Sequence, residues 1–268
     1  MKAERLTFNK IEVEKCQGGV CVSAIDTVAE EVPVALVYNG ISHVVMMATP
    51  QNLDDFALGF SLSESILQHP RELLDCFVTD VAEGIHVDLH ISDERFAALK
   101  EQRRNLTGRT GCGLCGAETL TQVTREIKPV NSSALFSAQQ VYSGFVQMQS
   151  LQYIQRQTGA THAAGWLNAA GKVEIVREDV GRHNSLDKLL GALVKSNQDL
   201  STGGILITSR ASYEMVQKSA TAGVGFLAAI SAPTGLAIRL ANQSQLTLLG
   251  FVRAHSHVLY THGYRLTY

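Results

Sequence analysis

The sequence predicts an α/β protein: a layered α/β domain in the second half, preceded by a smaller α+β subdomain. Two observations carry this. Between Thr161 and Val252, β-prone apolar runs alternate with amphipathic helical patterns, the signature of a sheet covered by helices. Before Pro129, a hairpin signal and one strictly alternating strand flank a single strongly apolar helix. At 268 residues and 45% hydrophobic, the chain can bury a core in each part. The sequence reads as an N-terminal arm over residues 1–27, a subdomain over 28–130 and the layered domain over 131–268.

Each element has a local reason. Residues 1–27 have weak periodicity and read as an arm or edge strand, with Cys16 and Cys21 incidental to it. Val32 to Tyr38 and Ile41 to Met47 flank Asn39-Gly40, the dipeptide suited to a tight hairpin turn. Asn52 opens a helix that carries Phe56, Leu58, Phe60 and Leu67 on its apolar side, with Asp54 and Asp55 where the dipole favours acids. Ile85 to Ile91 alternates as a half-buried strand, placing His86 and His90 on a solvated face. Phe96 to Arg104 is a short helix. Ser137 caps a long helix that ends near Gly159. Thr161 to Leu167 and Lys172 to Glu178 are strands. Leu186, Leu189, Leu190, Leu193 and Val194 trace one face of a helix. Strands at Gly204–Thr208, Phe226–Ile230 and Leu246–Val252, the last expected, alternate with helices at Ser212–Ala222 and Leu236–Ala241.

Composition excludes several classes. The formal net charge is −2, which demands neither nucleic acid nor an anionic membrane as partner. No apolar run approaches the roughly 18 residues of a membrane span, and Met1 to Lys15 lacks the apolar core of a signal peptide. Five cysteines, an odd and unevenly spaced set, do not form a disulfide framework. A reducing cytoplasm is the expected location.

The chemistry concentrates in Gly108-Arg-Thr-Gly-Cys-Gly-Leu-Cys-Gly116. Cys112 and Cys115 form a C-x-x-C pair among four glycines, a context expected to be a mobile, exposed loop. Lys100, Arg103, Arg104 and Arg109 lie close in sequence against one acid, Glu101, and cations favour the nucleophilic thiolate. Four readings stand: half of a zinc site, which needs four ligands; a thioredoxin-like redox pair, which normally opens a helix; a sulfur carrier that holds a persulfide; and two ordinary loop cysteines. Reach, exposure and a lowered thiol pKa favour the carrier.

Ligands of layered α/β sheets sit beyond the carboxyl ends of strands. Three segments fall there: Glu178-Asp-Val-Gly-Arg-His-Asn184, Thr208-Ser-Arg-Ala-Ser212 and Phe251-Val-Arg-Ala-His-Ser256. Arg182, Arg210 and Arg253 could each meet a phosphate, with Ser209 and Ser212 at a helix N-terminus. The competing reading has Ser212 merely capping its helix and Arg182 paired with Glu178 or Asp179. No G-x-G-x-x-G or Walker A loop is present. Thr161-His-Ala-Ala164 places Ala164 where a zinc deaminase has its Glu, which excludes that hydrolytic chemistry.

Taken together, Glu30 to Gly40, Ala57 to Glu64, Arg109 to Gly116, Thr161 to Ala164, Glu178 to His183, Leu186 to Leu190, Ser209 to Lys218 and Tyr260 to His262 resemble the formate dehydrogenase accessory sulfurtransferase family, FdhD. The resemblance implies a cytidine-deaminase-like second half. It implies a homodimer that takes sulfur from a cysteine desulfurase as a cysteine persulfide and passes it to the molybdenum of Mo-bis(molybdopterin guanine dinucleotide), carried as cargo, before insertion into formate dehydrogenase. No intrinsic metal is implied. Cys112 matches the persulfide-forming cysteine and Cys115 its partner. The cofactor segment matches Phe251, Val252, Arg253, Ala254, His255 and Ser256. This sequence departs from the family there: Arg253-Ala-His-Ser256 stands where relatives have a Lys-Pro-Gly-Arg character, so one cation remains. A cofactor chaperone whose C-x-x-C is a partner or zinc contact is the rival class.

Overall fold

The computed structural model describes residues 5–106 and 127–268, without the side chains of 102–106. Three β systems organise the described residues. The first is a two-stranded ribbon, β1 (Phe8–Gln17) with β2 (Val20–Ala29). Gly18 and Gly19 fold it back with φ of 59° and 85°, a pair of left-handed conformations that glycine adopts without Cβ strain. That turn sets a register in which Cys16 faces Cys21, and the two form a disulfide with Cα atoms 4.0 Å apart. The cysteines are therefore not incidental. The Gly-Gly turn makes cross-strand neighbours of residues five apart, a consequence that cysteine spacing alone does not show.

The second system is a four-stranded sheet in the order β4-β3-β6-β5. Strands β3 (Val32–Tyr38) and β4 (Ile41–Ala48) form the expected hairpin, with Asn39 at φ 46° and Gly40 at φ 82°. β6 (Gly84–Ile91) alternates buried and more exposed positions, with His86 and His90 outward. β5 (Leu73–Val81) has no counterpart in the sequence reading. Helix α1 (Leu53–Ser63) packs Leu53, Phe56 and Phe60 on the inner residues Val34, Leu36, Val87 and Leu89, joined by Leu99 of α2 (Asp93–Leu106). α1 stops at Ser63, so Leu67 reaches the same core from beyond the helix.

The third is a six-stranded sheet in the order β13-β12-β11-β10-β8-β9. Its strands are β8 (His162–Leu167), β9 (Val173–Asp179), β10 (Gly204–Ile207), β11 (Phe226–Ala229), β12 (Thr247–Arg253) and β13 (Ser256–Thr261). β10, β11 and β12 run parallel; β8 runs against β10, and β13 against β12. β12 is thus not the last strand. A short β7 (Phe136–Ser137) also pairs with β14 (Leu266–Thr267).

Strand side chains alternate between two apolar layers. Ala163, Leu167, Leu206, Phe226 and Leu249 meet α3 (Ala138–Leu151). Ala164, Trp166, Ile205, Ile207 and Leu248 meet α5 (Arg182–Lys195), α6 (Tyr213–Thr221) and α7 (Gly235–Gln243). Helices therefore cover both faces. Ser137 caps α3 in a capping box with Gln140, as expected. The helix expected to run on to Gly159 breaks at Gln152, and α4 (Tyr153–Thr158) continues the chain to a left-handed Gly159.

The two larger units are joined through α1 and α5. Gly59 and Gly191 let the helices touch: a Cβ on Gly59 would lie 1.8 Å from the Asp187 carbonyl oxygen, and one on Gly191 2.0 Å from that of Asp55. Around the crossing, Asp55 pairs with Arg177 at 2.8 Å and with Lys195 at 2.8 Å. Buried Lys218 bridges Asp187 at 3.0 Å and Glu64 at 2.8 Å.

Candidate functional site

One end of the six-stranded sheet collects the C-termini of β9, β10, β11 and β12 and the N-termini of β8 and β13. Backbone bonds stitch the segments beyond it together. Thr208 N donates to the Ala163 carbonyl at 3.1 Å, and Ala211 N and Phe251 N donate to the carbonyls of Ala232 and Ser231. Between this edge and α3 lies a cleft of about 590 Å³, lined by Tyr142, Phe145, Gln155, His162, Thr208 and Arg253, among others.

The Phe251–Ser256 segment forms the end of β12, a turn at Ala254-His255 and the start of β13. Val252 is buried; the rest are exposed. A register shift between Gly250 and Arg253 bends the strand, and Phe251 sits there at φ 52° with 44% of its surface exposed. A left-handed aromatic residue is costly, on the order of 1 kcal/mol or more. Arg253, the only lysine or arginine of this segment, lies in the cleft wall. Its Nη1 donates to the Ile230 carbonyl at 2.6 Å and the Val252 carbonyl at 2.8 Å. The guanidinium thereby holds the β11 and β12 ends together.

Arg182 opens α5, and the pairing with Glu178 or Asp179 does not form. Glu178 instead accepts from Ile154 N at 2.9 Å, Gln155 N at 2.7 Å and the Thr161 hydroxyl at 3.0 Å, so it satisfies the start of α4 from β9. Asp179 is fully buried against Lys188 at 2.6 Å and accepts from Thr49 N, Gly181 N and Asn184 Nδ2. Lys188 also donates to the Thr49 carbonyl at 2.9 Å. Arg182 Nε is left buried with no hydrogen-bond partner among the described residues. Arg210 is exposed. Ser212 holds the cap position of α6 but makes no capping bond, and its Oγ is buried with no hydrogen-bond partner among the described residues. The structure thus places Arg253 on the cleft, Arg182 at the start of α5 and Arg210 at the surface. Cys112 and Cys115 lie outside the described residues.

The sequence reading passed over three further side chains. His162, at the head of β8, is held below the usual imidazole range by burial and then by the charges of Arg182 and His183. His183 Nε2 lies 2.5 Å from Glu214 Oε2, which joins the first turns of α5 and α6. That hydrogen bond is the main reason the Glu214 carboxyl sits below its ordinary range, against the opposing effect of burial. The signal was positional: each lies within two residues of a strand or helix end at the same edge. Among the described residues, no group of three or more His, Cys, Asp or Glu is arranged to hold a metal ion.

Comparison with known proteins gives a consistent result. The family model described as FdhD/NarQ matches residues 29–267. A relative from Cupriavidus necator, named sulfur carrier protein FdhD, is 56% identical over 264 residues, covering 98% of this chain and 92% of the relative. Proteins of the same name from Bordetella petrii and Variovorax paradoxus are 50% and 53% identical, covering 95% and 90% of this chain and 92% and 87% of their own. A crystal structure from Desulfotalea psychrophila, of a protein assigned as a formate dehydrogenase accessory protein, superposes with a TM-score of 0.80. It covers 98% of this chain and 100% of its own at 19% identity, so this likeness speaks for the fold alone. The chain belongs to the FdhD/NarQ family.

Proposed function

We propose that this protein is a sulfur carrier in the maturation of formate dehydrogenase, with Cys112 as the acceptor. The observation that carries the reading is the 56% identity, over nearly the whole chain, with a relative named a sulfur carrier. The C-x-x-C pair falls within the matched family region. The six-stranded sheet with helices on both faces supports a cytidine-deaminase-like layering of the second half.

The chemistry follows from the thiols. The Cys112 thiolate attacks the outer sulfur of a persulfide on a cysteine desulfurase, and the donor cysteine leaves as a thiolate. The Cys115 thiolate then attacks Cys112 Sγ, which closes a Cys112–Cys115 disulfide and releases the outer sulfur as hydrosulfide for the molybdenum of the Mo-bis(molybdopterin guanine dinucleotide) cargo. A dithiol reductant of the cell reopens the disulfide. In this reading the cleft beside Phe251–Ser256 receives the cargo, with Arg182 and Arg210 adding cations near the same edge. The working protein is a cytoplasmic homodimer.

Intact-protein mass spectrometry after incubation with a cysteine desulfurase and cysteine tests the reading. Wild type and Cys115→Ala should gain about 32 Da, one sulfur atom, that dithiothreitol removes; Cys112→Ala should gain nothing. A sulfur adduct retained by Cys112→Ala would overturn the assignment. Zinc in the purified protein with no adduct would favour the cofactor-chaperone alternative.

A further inference from the structure

At the turn end of the ribbon, Cys16 and Cys21 are both exposed. The turn itself stands in open space: a Cβ on Gly18 or Gly19 would meet no atom within 4 Å. No ribbon residue enters the apolar cores formed by the described residues. The disulfide also holds little that the fold does not already hold. It joins residues only five apart, and a crosslink stabilises less as the loop it closes shortens. The Gly-Gly turn and the facing pairs of β1 and β2, from Phe8 with Ala29 to Gln17 with Val20, bring the same two residues together without it. Reduction therefore leaves two thiols side by side on an intact ribbon, placed to close again.

An exposed disulfide is open to attack by a thiolate. In a reducing compartment, such as the cytoplasm expected for this chain, a disulfide that persists is usually a redox-active one. The backbone beside it is open as well. The Cα separation of 4.0 Å is nearer the roughly 4.5 Å of a non-hydrogen-bonded cross-strand pair than the roughly 5.5 Å of a bonded one. At such a position the amide and carbonyl of Cys21 turn away from β1. β2 has no second neighbour, so these groups face an open edge, between Val20 and Val22 at 67% and 58% exposed. An extended segment of another protein can pair along that edge, beside the sulfurs.

We propose that Cys16–Cys21 is a reversible thiol–disulfide exchange site whose partner is a protein dithiol docking on the open edge of β2. A thiolate of the partner attacks one ribbon sulfur, the Cys16–Cys21 bond breaks, and the other ribbon cysteine leaves as a thiolate and takes up a proton. The partner's second thiolate then attacks its own sulfur in the mixed disulfide and displaces the remaining ribbon cysteine, which is protonated in turn. The ribbon gains two electrons and two protons, and the partner leaves as a disulfide. The chain thereby carries a two-electron couple separate from its C-x-x-C pair, and the inference does not depend on the sulfur-carrier reading.

The test mixes the oxidised full chain with reduced thioredoxin or, separately, with dithiothreitol at the same dithiol concentration, and quenches with acid. Cleavage at glutamate releases Cys16 and Cys21 in one peptide, between Glu14 and Glu30, which is about 2 Da heavier when reduced. Thioredoxin should reduce the pair about tenfold faster than dithiothreitol or more, because docking adds to the exchange chemistry. Thioredoxin lacking its second cysteine should be trapped on Cys16 or Cys21, and oxidised glutathione should restore the disulfide. The circular dichroism and melting temperature of the reduced chain, and of Cys16→Ser with Cys21→Ser, should match those of the oxidised chain. Resistance to both dithiols, no advantage for thioredoxin, or a lowered melting temperature on reduction would overturn the proposal, the last by making the bond a structural staple. Cys112 and Cys115 fall in other peptides, and sulfur uptake on Cys112 is read in its own assay, so either conclusion can fail without the other.

Discussion

At the scale of single residues, Glu214 and Lys188 make opposite demands on solvent. The Glu214 carboxyl is depressed below its ordinary 4.5 by the His183 hydrogen bond. Its stabilising effect is complete above the unfolded value and disappears as pH falls through the folded one. The melting temperature of wild type should therefore fall more steeply than that of Glu214→Gln on acidification through the carboxylate range; parallel curves would show the pair to be thermodynamically silent. His162 acts in the same pH direction by another route. Its depressed pKa means the unfolded chain takes up a proton first, so stability declines below about 6.5. Lys188 is wholly buried, and burial drives its pKa down while Asp179 opposes that. Lys188→Ala should cost about 3–5 kcal/mol in urea unfolding, because it strands the Asp179 carboxylate. Replacing both partners, as Lys188→Met with Asp179→Asn, should cost clearly less. Neither pair was legible in sequence: a lysine and an aspartate within helical or strand patterns look like solvated positions until the tertiary contact is known.

At the scale of elements, the α1–α5 crossing depends on backbone contact. Gly59→Ala and Gly191→Ala would each place a methyl within 2.0 Å of a carbonyl oxygen on the facing helix. Each should destabilise by at least about 1–3 kcal/mol, the usual cost of overpacking, despite the better helix propensity of alanine. Chemical denaturation measures it, and a neutral result would mean that the helices separate freely. Most elements were legible because they carry a period, a turn signal or a cap: Asn39-Gly40, the alternation of β6, Ser137 at the head of α3. The ribbon was not, although Gly18-Gly19 is the same kind of hairpin signal as Asn39-Gly40. Its strands are exposed on both faces over most of their length, and the apolar alternation they carry, Ile11-Glu-Val13 and Val20-Cys-Val22, is too short to mark a buried face. β5 escaped for a similar reason, having no fully buried residue.

At the scale of the whole molecule, the ion pairs Asp55–Arg177, Asp55–Lys195 and Glu64–Lys218–Asp187 and the glycine crossing tie the four-stranded unit to the six-stranded one. The two should therefore unfold in a single transition. The chain's one tryptophan, Trp166, is 1% exposed in the larger unit and reports on it alone. Its emission and far-ultraviolet circular dichroism should give coincident curves; two separated midpoints would show units that melt independently. Sequence placed the ends of β8 to β12 at this edge, because β–α alternation locates them, but not the start of β13, which follows β12 directly with no helix between. It did not show that Arg253 spends its charge on two carbonyls or that Ser212 leaves its cap bond unmade. Both depend on where neighbouring strand ends fall in space.

The ribbon also makes the protein's thiols easy to count. Of five cysteines, Cys16 and Cys21 are joined, and the Cys76 thiol is pushed up to about 11 by burial and then by nearby carboxylates, chiefly Asp54. An alkylating reagent applied near neutral pH without reductant thus finds one inert disulfide and one protonated sulfur. Rapid labelling of the untreated chain would then report the C-x-x-C pair against almost no background, and occupancy of Cys112 could be followed in the native sequence without removing any other cysteine.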